Sequence, residues 1–109
     1  MPHPQFDTLV HEPTRLRLCA LLIPVESRDF AGLREELDVS ESALSKHVSA
    51  LRRAGYVTSS RSRHATGRDR VEVALTEAGR VAFCGHVAEI QRMATVVRRS
   101  EARRSPRTA

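Results

Sequence analysis

Between Ser40 and Gly55 the chain carries Glu41, Ser42, Ser45, Lys46, Ser49, Arg52 and Arg53, interleaved with Leu44, Val48 and Leu51. The leucine and valine intervals of four and three residues are helical, so the polar set falls largely on the opposite face of one helix. Short hydroxyls let a helix backbone come close to a surface, and each can donate or accept at a base edge or a phosphate oxygen. Lys46 adds a charge that phosphate or guanine can use. Serine is a mediocre helix former, so its density here argues for contact rather than for an ordinary solvated face. Glu41 could as easily accept from a cytosine amino group as stabilise the positive start of the helix. His47 lies at the edge of the face. Turned inward it is a structural histidine, turned outward it touches phosphate, and the sequence leaves both open.

A second group follows within a polar, glycine-containing stretch: Arg61, Arg63, His64, Arg68 and Arg70. Arginines on a hairpin suit a phosphate backbone or a narrow minor groove. The competing reading is a solvated hairpin whose charges keep other sheet edges away. Its place directly after the serine-rich helix favours contact. The candidate contacts to double-stranded DNA are therefore Ser42, Ser45, Lys46, His47, Ser49, Arg52, Arg61, Arg63, Arg68 and Arg70.

Other chemistry has less support. Cys19 and Cys84 lie far apart within apolar patterns, with no Cys-x-x-Cys or His-x-x-x-His spacing beside them, so each reads as a small core residue. His11 and His86 would at most form a ligand pair across a subunit interface. No nucleophile–base pair, phosphate loop or carboxylate pair has catalytic spacing. The expectation is no enzyme, no metal and no cofactor.

The elements that must position these residues can be read from period and punctuation. A helix begins at His11-Glu12-Pro13, where proline and an acidic residue suit the first turn, and Pro24 stops it. Leu16, Cys19, Ala20 and Ile23 mark one side, and Leu18, Leu21 and Leu22 make the other side apolar as well. Such a helix is either the centre of the domain or faces a partner subunit. Ser27 or Asp29 can cap a second helix through Phe30, Leu33 and Leu37. Only Asp38-Val39-Ser40 separates it from the serine-rich third helix, Glu41 to Ala54, with Gly55 as its left-handed terminator. Two helices joined by so tight a turn make a helix-turn-helix. The period then changes to strands over 56–61 and 70–75, joined by a loop over 62–69. Thr76 caps a long last helix with Val81, Cys84, Val87, Ala88, Gln91, Ala94 and Val97 on one face. The expected architecture is α+β and mostly helical. Residues 1–98 form one domain that includes a terminal dimerisation helix, and 99–109 form a disordered basic tail. Leu9, Leu18, Leu22, Val87, Ile90 and Ala94 are the residues expected at a homodimer interface.

Charge is distributed unevenly. The formal net charge is +5, but residues 1–55 carry −1 and residues 56–109 carry +6, which points to a polyanionic partner. Of the 18 basic residues, 17 are arginine, a bias that also suits a GC-rich coding sequence and discounts the signal somewhat. No apolar run reaches membrane-spanning length, and the N-terminus lacks the basic head and apolar run of a signal peptide. A cytoplasmic bacterial or archaeal protein is expected.

The stretch Ser40-Glu41-Ser42-Ala43-Leu44-Ser45-Lys46-His47-Val48-Ser49-Ala50-Leu51-Arg52-Arg53-Ala54-Gly55-Tyr56-Val57 resembles the corresponding segment of ArsR-like and MarR-like winged-helix regulators. His11-Glu12-Pro13-Thr14-Arg15-Leu16-Arg17 and Leu75-Thr76-Glu77-Ala78-Gly79-Arg80 resemble the flanking parts of small single-domain members. The resemblance implies a winged helix-turn-helix of three helices, a two-stranded wing hairpin and a long C-terminal helix. It also implies a homodimeric, repressor-like DNA-binding protein. Its DNA contacts would fall on Ser42, Ser45, Lys46, His47 and Ser49, with wing arginines at Arg63 and Arg68, and it would dimerise through its first and last helices. The second helix has no Cys-x-Cys pair, which disfavours metal sensing, and the chain is too short for the ligand pocket of longer relatives. An unidentified small-molecule effector stays open as a partner. The rival readings are a winged-helix protein-docking module without DNA and a thiol-redox-responsive regulator.

Overall fold

The computed structural model describes residues 2–63, 67 and 69–104. Its elements are α1 (Thr8–His11), α2 (Pro13–Leu22), β1 (Arg28–Asp29), α3 (Phe30–Leu37), α4 (Glu41–Arg53), β2 (Val57–Arg63), β3 (Asp69–Leu75) and α5 (Glu77–Arg104).

Side-chain caps start each main helix. The Glu12 carboxylate accepts from the Arg15 backbone N–H at 2.9 Å, and Pro13 fills the next position, where a missing N–H costs nothing. Asp29 caps α3 by accepting from Gly32 N–H, and Ser40 caps α4 by accepting from Ala43 N–H at 3.1 Å. Thr76 closes the start of α5, where its hydroxyl oxygen accepts from Gly79 N–H and its O–H donates to the Gly55 carbonyl. Between α3 and α4 the chain reverses through Asp38, whose φ of 55° is left-handed, a conformation that Asp tolerates better than most residues. Gly55, at φ 80°, ends α4 in the same region.

α2 lies at the centre of the domain. Leu18, Cys19 and Leu22 are buried there against Leu33 and Leu37 of α3, Leu44, Val48 and Leu51 of α4, Val57 and Val73. Burial on several sides explains why this helix is apolar all round. It also corrects one expectation. Leu18 and Leu22 are 0% exposed inside their own chain, which leaves them no surface to offer a second subunit.

The sheet is antiparallel, in the order β1-β3-β2. β2 and β3 form the hairpin, paired from Val57↔Leu75 to Arg63↔Asp69. The expected loop over 62–69 is thus shortened from both sides. β1 adds two residues to the other edge of β3. The described part of α5 runs through Arg104, so the boundary expected at residue 98 falls inside the helix. Ser100, Glu101, Ala102, Arg103 and Arg104 include no helix breaker, and the next proline in the sequence is Pro106.

Candidate nucleic-acid interface

The stripe of Leu44, Val48 and Leu51 anchors α4 to the core, so its orientation is set by burial. Ser42, Ser45, Lys46, Arg52 and Arg53 are exposed as a result, and Ser49 is half-buried. The hairpin stands beside this face. Arg52 donates from Nη1 to the Ser59 hydroxyl at 2.9 Å, tying the last turn of α4 to β2. Glu41, Ser45, Ser49, Arg52, Ser59 and Arg61 line one groove between helix and hairpin. Four of these are candidate contacts, and the fold brings them together.

Alternation along the strands sorts the wing arginines. Val57, Ser59, Arg61 and Arg63 share one face of β2, the face toward α4. Arg70 pairs in register with Ser62, and so belongs to the opposite face with Glu72. Its Nε lies 3.8 Å from the Glu72 carboxylate. The hairpin therefore brings Arg61 and Arg63 to the helix side and does not bring Arg70 there. Arg61 is 3.5 Å from the Asp69 carboxylate, an exposed pair, whereas Arg63 has no ion pair among the described residues. The candidates His64 and Arg68 lie outside the described residues.

His47 occupies the flank of α4 away from the wing. It is half-buried, and its Nδ1 lies 3.0 Å from Nη1 of Arg15 on α2 and 3.8 Å from a Glu12 carboxylate oxygen. The inward and outward readings of this residue are thus not exclusive, since one ring nitrogen is held by α2.

A second polar cluster lies behind α4, and sequence reasoning did not assemble it. Tyr56, just after the helix, donates its O–H to the Asp7 carboxylate at 2.6 Å, and this bond keeps the phenol protonated, its pKa pushed up to about 12. The Asp7 backbone N–H donates to Nδ1 of His86 at 3.0 Å. His86 Nε2 is 3.0 Å from Nδ1 of His11, with Phe6 packed against both rings. Because Nδ1 of His86 accepts from an N–H, its proton sits on Nε2 and is donated to His11. His86 is fully buried, and burial, with His11 beside it, lowers its pKa from the usual value near 6.5. The two histidines considered as ligands across a subunit interface therefore meet within one chain. Among the described residues no group of three or more His, Cys, Asp or Glu side chains could hold a metal ion.

The cysteines differ in burial. Cys19 is 1% exposed, and burial first, then the Asp7 charge, pushes its thiol up to about 11, which disfavours it as a reactive thiolate. Cys84 is half-buried on α5, beside Val87. Of the expected interface residues, Leu9 packs half-buried against the core, while Val87, Ile90 and Ala94 are half-buried on α5. Sequence reasoning did not single out Met93 and Val96 of the same helix. With Val81 and Val97 they are exposed apolar side chains, and an extended helical apolar pattern was the only signal for them. No helix among the described residues is long and apolar enough to cross a membrane.

Known proteins share part of this sequence or its fold. An uncharacterised protein of Methanocaldococcus jannaschii, MJ0432, is 33% identical over 76 residues, covering 70% of this chain and 82% of that one. A transcriptional regulator homologue from Pyrococcus horikoshii OT3 superposes with a TM-score of 0.77 at 21% identity, covering 84% of this chain and 89% of that one. A MarR-family protein of Enterococcus faecalis V583 superposes with a TM-score of 0.70 at 18% identity, over 88% and 84% of the two chains. This chain therefore shares the fold of these two solved proteins. Residues 14–94, from the first turn of α2 to the middle of α5, match the family described as a winged helix DNA-binding domain, and the chain belongs to that family.

Proposed function

We propose that the protein is a cytoplasmic, homodimeric transcriptional repressor that binds double-stranded DNA sequence-specifically. α4 enters the major groove, and the β2–β3 wing follows the backbone or the adjacent minor groove. One observation carries this reading: the groove between α4 and β2 joins the serine face of the helix to Arg52 and Arg61. Short hydroxyls permit close approach to base edges, and the arginines flank them where phosphates run. Repression would follow from occupancy of the site.

The dimer rests on α5. No residue of this helix beyond His86 is fully buried, yet Met93, Val96 and Val97 are exposed and Ile90 and Ala94 half-exposed. A second copy related by a two-fold axis would cover this stripe and place two α4 helices on one duplex. Selection from a pool of random duplexes tests the whole reading. The expected product is a pseudo-palindrome with half-sites about 10 bp apart. A bound pool with no enriched sequence would contradict it.

A further inference from the structure

The Arg15–His47 contact has a chemical consequence for the DNA face. Arginine is donor-only, so at 3.0 Å from Nη1 the His47 Nδ1 must act as acceptor. The ring proton then belongs on Nε2. Glu12 competes for the same nitrogen, since its carboxylate oxygen is 3.8 Å away and would draw a proton to Nδ1. The guanidinium is the nearer group, and it is itself fixed, because its Nε donates to the Leu9 carbonyl at 2.6 Å. Arg15 thus spans α1, α2 and α4, with one arm on a backbone carbonyl and the other on the imidazole. Among the described residues Nε2 of His47 has no hydrogen-bond partner, and no buried side-chain nitrogen or oxygen there lacks one, so Nε2 is accessible to solvent. It does so next to Lys46, on the flank of α4 opposite the wing. A helix seated in a major groove has a phosphate backbone along each flank. The wing and Arg52 serve one of them.

We propose that Arg15 is a positioning residue that holds His47 as its Nε2–H tautomer, aimed at a phosphate of the strand opposite the wing. The inference rests on the DNA-binding reading above and names a contact within it. The contact is a neutral donor's. It fixes the register of α4 without releasing a counterion, unlike contacts from Lys46 or the wing arginines.

The test combines one spectrum with a set of affinities at pH 8 for the selected operator. Long-range 15N–1H correlation of the wild-type protein should show His47 protonated at Nε2, and a proton on Nδ1 would overturn the proposal even if no duplex is bound. His47→Leu should weaken binding about tenfold, the scale of one hydrogen bond, with the salt slope unchanged. His47→Gln, which keeps an N–H near the Nε2 position, should retain most of the affinity. Arg15→Leu should cost a similar factor in the wild type and almost nothing once His47 is leucine or glutamine. If Arg15→Leu does not fold, Arg15→Lys serves instead, because it keeps the charge but cannot hold Leu9 and His47 together. An Arg15 effect of equal size in all three backgrounds would make the residue merely structural and overturn the proposal. Failure of the wild type to bind any duplex would instead remove the DNA-binding reading, with the tautomer still decided by the spectrum.

Discussion

His86 shows most clearly how a single residue can matter without being visible in sequence. It stands in an apolar helical register, yet its partners are Asp7 and His11, some 79 and 75 positions away. No local pattern could have joined them. Buried and neutral, it gives the fold a definite response to acid. Its pKa is lowered in the folded state, so below about 6.5 the unfolded chain takes up a proton that the folded chain resists. Stability should be unaffected by this residue above that pH and should fall as the pH drops from there toward 5. The slope from one such group is at most about 1.4 kcal/mol per pH unit. Urea titrations at several pH values should show a shallower decline for His86→Gln than for the wild type. Equal declines would remove His86 as the cause. His47 was legible as a residue of interest but not as to orientation, because its neighbour Arg15 comes from a different helix.

At the scale of elements, legibility followed the strength of the local signal. α4 was readable almost to the residue, since a serine cap, three buried positions at helical spacing and a left-handed glycine all agree. β1 was not, because two residues carry no period and exist as a strand only through pairing with Val73 and Glu72. The pattern of α2 predicts a helix that is either central or at a subunit interface, and packing on several sides selects the central role. The junction of α5 with the sheet is similarly a tertiary matter. Gly79 sits where an added Cβ would run into the Tyr56 carbonyl oxygen and press on Leu75. Gly79→Ala should therefore destabilise the domain by about 1–3 kcal/mol despite alanine's better helix propensity. Thermal melting checks this, and a raised melting temperature would show that the junction can yield.

The whole molecule divides its charge and its apolar surface between different regions. The serine face and arginines lie on α4 and the wing, while Met93, Val96 and Val97 lie on the last helix, on a stretch with no fully buried residue. Val96→Asp with Val97→Asp should give a folded monomer at tens of micromolar, the range of ordinary reversible association, where the wild type is expected to sediment as a dimer. A wild-type monomer under those conditions would contradict the pairing. The central claim is that α4 reads bases while the wing holds the backbone, and affinity for specific and scrambled duplexes across a salt series tests it most directly. Ser45→Ala or Ser49→Ala should lower affinity for the specific duplex by about 1–3 kcal/mol and leave the scrambled one nearly unchanged. Arg63→Ala should weaken both duplexes alike and reduce the salt slope by about one unit for one lost phosphate contact. An Arg63→Ala protein that binds both duplexes like the wild type, with the same slope, together with serine variants that keep full sequence preference, would contradict the account.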